Sequence, residues 1–293
     1  MHPVVLAVLA IFSVQFGNAL AGTFFDQVGA LGAAALRLTF AAALLLVVVR
    51  PHIRGWRART WVGVGMLGIG LAGMNALIYL AIDSIPIGVA VTIELLGPLA
   101  VAVAGTRRWR DLAWVALAAG GVLALGLSVT LGGGVGAIAS SGERLALVGV
   151  LAALGAAAFW ALYILASARL AGQARGVDAL AMAMVVAAAI VMPFGAGDAA
   201  AAVVTAPMLL LAFLGIAVMT SAVPYALEFI ALRTMPTRVF GVLSSLGPAV
   251  AAVAGLVVLG QQLEVLQLVA IAAVVVASVG AVSVSSRVGR LAE

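Results

Sequence analysis

Residues 79–105 read YLAIDSIPIGVAVTIELLGPLAVAVAG, and residues 229–255 read FIALRTMPTRVFGVLSSLGPAVAAVAG. At a constant offset of 150 residues the two stretches share ten identities without a gap. The matches at Ala and Val carry little weight in so Ala- and Val-rich a chain. Pro86 with Pro236, and Gly97-Pro98 with Gly247-Pro248, carry much more. Each copy is an apolar segment opened by a proline and interrupted half-way by Gly-Pro. Interrupted apolar segments at corresponding positions of two halves are the sequence mark of a transporter's binding site.

The composition fixes the solvent. The chain has 293 residues, of which 66% are hydrophobic and 9% charged, with a mean hydropathy of +1.30. A soluble domain is about 45–50% apolar and about 25% charged. A fold of this length cannot hide so much apolar surface from water, so the sequence predicts an all-α integral membrane protein surrounded by lipid. There is no cysteine, which excludes disulfides and thiolate metal sites. All fifteen basic residues are Arg, and they give a net charge of +5. They sit in short loops between apolar runs, which favours a membrane over a nucleic-acid partner.

A span needs about 20 apolar residues, and ten can be drawn: 3–22, 30–50, 61–82, 85–105, 110–131, 145–168, 178–196, 207–232, 236–259 and 263–285. Ala19-Leu20-Ala21 mimics a signal-peptidase site. Only His2 stands where a secretory signal would carry positive charge, so the first run reads as a span. Alternate loops gather thirteen of the fifteen Arg residues on one side, from Arg50 through Arg290. The other side holds Asp26, Asp83, Glu143, Asp198 and Glu264, with Arg144 alone beside them. Positive loops stay in the cytoplasm, so both termini are expected inside. Trp56, Trp61, Trp109 and Trp114 flank the Arg-rich loops, where amphipathic rings anchor the interface.

The offset of 150 divides the ten spans into five and five. An odd number per half makes the second half enter the membrane from the opposite side. The expectation is therefore ten transmembrane helices built as two inverted five-helix repeats, residues 1–138 and 139–293, joined through the Gly-rich stretch 131–142. Gly63, Gly68, Gly70 and Gly73, with Gly97, Gly105, Gly247 and Gly255, suit close helix packing, which replaces the hydrophobic effect as the associating force in lipid.

No catalytic constellation is visible. There is no HExxH, GxSxG or Walker loop, and the two histidines, His2 and His52, lie at span ends. The reading is of a protein that is not an enzyme, with no cofactor and no metal. What remains are polar groups inside spans, expensive in hydrocarbon and so candidates for function. Glu94 lies about 14 Å into the fourth span at about 1.5 Å per residue, near the midplane and one turn before Gly97-Pro98. Pro98 has no N–H to give the carbonyl of Glu94. A carboxyl there can bind a proton or an ammonium group, or bond a neighbouring helix. Arg37 lies about two turns into the second span. It fits either a substrate carboxylate or an ion pair with Glu94. Glu228, in the eighth span, is a second proton-coupling candidate, though Arg233 lies close enough in sequence to pair with it. Gln15 and Asn18 on span 1, Asn75 and Tyr79 on span 3, Trp160 and Tyr163 on span 6, Tyr225 on span 8, and Ser244 and Ser245 on span 9 complete the polar set. For Trp160 core packing is an even alternative. Asn75 and Tyr79 are i, i+4 neighbours on one helix face. At the 150 offset Asn75 matches Tyr225 and Glu94 matches Ser244, so the twin positions are polar but not identical.

The stretch 79–102, and the later VPYALEFIALRTMPTRVFGVLSSLGPAVAAVAGLVVLGQQL at 223–263, resemble the EamA branch of the drug/metabolite transporter superfamily over almost the whole chain. The likeness is strongest to its threonine/homoserine exporters, with aromatic amino-acid exporters as relatives. The resemblance implies the five-plus-five fold and export of amino acids across the bacterial inner membrane. It also implies a central cavity lined by spans 1, 3, 4, 6, 8 and 9. Glu94 and Glu228 fall where that subfamily carries glutamates, and Arg37 matches an arginine common in the family's second span. The chain departs from the family at Gly247-Pro248, where Glu-Pro is frequent, and at Gln261, where a Glu is. Proton coupling and facilitated diffusion both stay open on this reading. A multidrug or lipophilic-cation exporter on the same fold is the alternative; it would want a carboxylate in an aromatic cavity without a cationic companion. The expected partners are a small amino acid, membrane lipid and, for an antiporter, protons. The expected assembly is a monomer or weak dimer.

Overall fold

The computed structural model describes residues 3–104, 111–131, 141–170, 173, 176–224, 227 and 243–289. Among these the chain is helical throughout, without a strand: α1 (Pro3–Gly22), α2 (Phe25–Val49), α3 (Ala58–Ser84), α4 (Ile87–Glu94), α5 (Leu96–Ala104), α6 (Asp111–Leu131), α7 (Ser141–Leu170), α8 (Gly176–Thr205), α9 (Leu209–Ala217), α10 (Gly247–Leu259) and α11 (Val265–Gly289). Lipid offers no hydrogen bonds to a backbone, so an apolar chain of this kind satisfies its amides within helices.

Five of the helical stretches are long and apolar enough to cross a membrane: 4–22, 25–49, 58–84, 147–170 and 176–205. Interruptions break the regular helix in other spans. The fourth span breaks between α4 and α5 at Leu95, and the eighth passes from α9 into a π-helical turn, Val218–Ala222. The twin of the first break lies at Ser245-Leu246, where a turn precedes α10 and Pro248 sits in its first turn. The two Gly-Pro segments thus interrupt their helices at the same place in the repeat. Helix α2 carries its own kink at Gly29 (φ 68°, ψ 158°), so the regular apolar span starts at residue 30 although the helix opens at Phe25.

The packing has the symmetry of the repeat. Equivalent spans pair with each other: α2 with α8, α4 with α10, α6 with α11. Non-equivalent pairs come in twos. Helix α1 packs on α10 as α7 packs on α4 and α5, and α3 packs on α7 as α9 and its π turn pack on α1. Small residues permit the contacts. A Cβ on Gly97 would strike the Ala157 carbonyl of α7, and one on Gly195 would strike the Leu31 carbonyl of α2. The outward faces are apolar, with Val47, Val48, Leu123, Phe194 and Val257 all exposed. In water such faces would be patches; here they are the lipid contact of a membrane protein.

Candidate functional site

The two breaks and the π turn face one another across a central cavity of about 390 Å³, within the ordinary range for small-molecule sites. Its wall comes from α1, α3, α4, α7, the stretch that continues α9, and the start of α10. Arg37 reaches it from α2. Val91, Glu94 and Leu95 share one face at the end of α4, and that face meets the cavity just before the break.

Of the candidates read from the sequence, Gln15, Arg37, Asn75, Glu94, Trp160, Tyr163, Ser244, Gly247 and Pro248 line this cavity. Tyr79 and Ser245 do not; both are buried beside it. Tyr79 shares a helix face with Asn75, but Arg37 stands between it and the open space. The guanidinium carbon lies 5.3 Å from the Tyr79 ring centroid, and the ring leans on Phe25 at 5.4 Å. Tyr79 is a platform under a cation. Gly97 and Pro98 also stay off the wall; they shape the break and its packing on α7. Tyr225 and Glu228 lie outside the described residues, as does most of the stretch that carries Arg233.

Arg37 is only 7% exposed. Its Nη1 donates to the Asn18 Oδ1 at 3.2 Å, and its Nε is buried without an acceptor. Arg37 and Glu94 line the same cavity, with no ion pair within 4.0 Å between them. The Glu94 carboxylate has no hydrogen-bond partner among the described residues, and the residue is 8% exposed. A fixed cation and an uncommitted carboxylate thus face one space. Asn75 Nδ2 donates to the Leu71 carbonyl one turn back at 2.7 Å, which fixes the orientation of its amide.

The sequence reading passed over Thr220 and Pro224, which also line the cavity. Their place depends on the π turn. There Ser13 Oγ donates to the Met219 carbonyl at 2.6 Å, and a Cβ on Gly17 would strike Thr220. Hydroxyl and glycine on α1 thereby hold the widened turn against the cavity. Turns of this type cluster at functional sites, but nothing in VMTSA announces one.

Beyond the cavity, helices of the two repeats approach closely at one end of the bundle. A Cβ on Gly22 would meet Leu259, one on Gly88 would meet the Ala252 backbone, and one on Gly255 would meet Ile87. The Ile87 N–H, an orphan donor at the start of α4, donates to Gln261 Oε1 at 3.0 Å, while the Gln261 N–H donates to the Gly255 carbonyl at 3.0 Å. Gln261 therefore ties the second repeat to the first at this end. Among the described residues no group of His, Cys, Asp and Glu could hold a metal ion.

Comparison with known proteins adds to the geometry. Residues 147–283 match the model of the EamA-like transporter family. The threonine/homoserine exporter RhtA of Escherichia coli K12 is 40% identical over 278 residues, 95% of this chain and 90% of that protein. The RhtA of Salmonella typhimurium LT2 shows the same identity and coverage. A solved crystal structure superposes over 99% of the chain and 98% of its own, with a TM-score of 0.57 at 19% identity, and shares the fold.

Proposed function

The chain belongs to the EamA-like transporter family, and from that premise we propose that it exports small amino acids of the threonine and homoserine kind from the cytoplasm of a bacterium across its inner membrane. The observation that carries the reading is the central cavity, in which Arg37 is held by Asn18 and Tyr79 while Glu94 on the same wall has no hydrogen-bond partner among the described residues. A zwitterionic amino acid needs a cation for its carboxylate and an anion for its ammonium. Desolvated charges that find such partners strengthen binding, and a site in which the two protein charges do not neutralise each other is free to receive both ends.

The proposed cycle is alternating access. The end tied by Gln261 is taken as the periplasmic side, on the strength of the Arg count in the loops, and the two repeats, residues 1–138 and 139–293, rock about the breaks at Leu95 and Ser245-Leu246. Glu94 is the candidate for binding a proton and the substrate's ammonium in alternation; Glu228 is the second candidate. The lipophilic-cation alternative is disfavoured by Arg37, since a guanidinium in the wall repels a cationic cargo.

The test is counterflow of labelled threonine in proteoliposomes, with homoserine, phenylalanine and a quaternary ammonium as competitors, with and without an imposed pH gradient. Competition by homoserine, weak competition by phenylalanine and none by the ammonium is the expected outcome. Competition by the quaternary ammonium alone refutes the reading.

A further inference from the structure

Gln15 is a polar side chain the charge argument does not use. It is nine-tenths buried, with 9% of its surface exposed, and it lines the cavity from α1. Its Oε1 is buried without a hydrogen-bond donor. Its Nε2 lies over Gly247, so that a Cβ on that glycine would sit 3.6 Å from it. Gln15 stands one helical turn from Asn18, the residue that holds Arg37; Cβ atoms three residues apart on a helix are about 5–6 Å apart. A small amino acid with its carboxylate at Arg37 and its ammonium at Glu94 has its side chain within reach of that amide.

We infer that Gln15 is the residue that reads the substrate's side-chain hydroxyl. This inference rests on the amino-acid reading above and deepens it. An amide offers a donor and an acceptor side by side, and a hydroxyl is the group that answers both. A substrate hydroxyl gives the amide the hydrogen bond that its Oε1 lacks, whereas a methyl in the same place leaves it unpaired. Sites built to bond a hydroxyl reject the analogue lacking it far better than apolar pockets reject an added hydroxyl. Gln15 therefore separates threonine from its isostere valine, a distinction that Arg37 and Glu94 cannot make because both amino acids present the same charged ends. Thr220, also on the wall, spends its proton on the Ile216 carbonyl at 2.8 Å, so Gln15 is the better reader.

The experiment uses the full chain in proteoliposomes, with counterflow of labelled threonine competed by unlabelled threonine, serine, valine and 2-aminobutyrate. In the unaltered protein the hydroxylated competitors outperform their apolar isosteres by about ten-fold, the value of one buried hydrogen bond whose loss leaves a partner unpaired. In Gln15→Met, of similar length and flexibility, that ratio collapses to within about two-fold, while valine binds as well as before or better; retained valine binding shows that the variant is folded. Equal competition by threonine and valine in the unaltered protein overturns the inference, and that result needs no variant at all. An unchanged ten-fold ratio in Gln15→Met, or in Gln15→Leu should Met fail to assemble, overturns it as well. A protein that transports none of these amino acids instead overturns the proposed function, which keeps the two failures apart.

Discussion

Replacing Arg37 by Met removes one charge from the cavity and keeps most of the side chain's length. In the structure Arg37 has two protein partners, the Asn18 amide at 3.2 Å and the Tyr79 ring at 5.3 Å, and one buried N–H, Nε, with none. If it takes the substrate's carboxylate, the variant loses a hydrogen bond to a charged group, worth about 1.5–3 kcal/mol. At about 1.4 kcal/mol per factor of ten, threonine affinity falls roughly 10- to 150-fold. If Arg37 only balances Glu94 in the fold, the loss appears as stability instead, since an uncompensated buried charge costs about 3–5 kcal/mol. Threoninamide separates the cases, because it keeps the ammonium and hydroxyl and lacks the carboxylate. Binding of threonine and threoninamide is measured on purified protein by calorimetry, beside thermal unfolding in detergent. The expected result is a large loss for threonine, little change for threoninamide and modest destabilisation. An equal loss for both ligands, or none for either, refutes the assignment of Arg37 to the carboxylate.

Glu94→Gln keeps the shape of the side chain and removes its charge; threonine counterflow is expected to fall at least ten-fold, the value of a charge-assisted bond, and any stimulation by an imposed pH gradient to disappear. Stimulation that persists undiminished rules out Glu94 as the proton carrier. Gly97→Val drives a branched side chain into the Ala157 carbonyl, and backbone strain of that kind costs about 1–3 kcal/mol or more; a lowered unfolding temperature in detergent, with no such loss for Gly215→Val in open space, is the expected pair of results. Because the chain has no cysteine, single cysteines report topology without background. A cysteine at Gly55 is expected to resist an impermeant thiol reagent added outside cells, and one at Thr23 to react; the reverse pattern inverts the assigned orientation.

The sequence by itself determined the solvent and the pattern of the fold. Apolar runs of span length, prolines and Gly-Pro pairs repeating at an offset of 150, and Arg concentrated in alternate loops are one-dimensional signals. Lipid makes them decisive, because a backbone in hydrocarbon has no choice but helix and the break must fall where proline removes a donor. They placed the interruptions to within a residue or two, and they named the polar groups inside spans. The tertiary structure alone decided which of those groups share a space. Asn75 and Tyr79 carry the same sequence signal, four residues apart on one helix, yet Asn75 lines the cavity and Tyr79 lies beneath Arg37. Thr220 reaches the wall through a π turn that no residue in VMTSA marks. Gln15 shares the cavity wall with Gly247, more than two hundred residues away, and its buried Oε1 is left without a hydrogen-bond partner there. Hydropathy is a property of each residue and survives in the sequence; a hydrogen bond left unmade is a property of what several helices place opposite one another, and it exists only once they have packed.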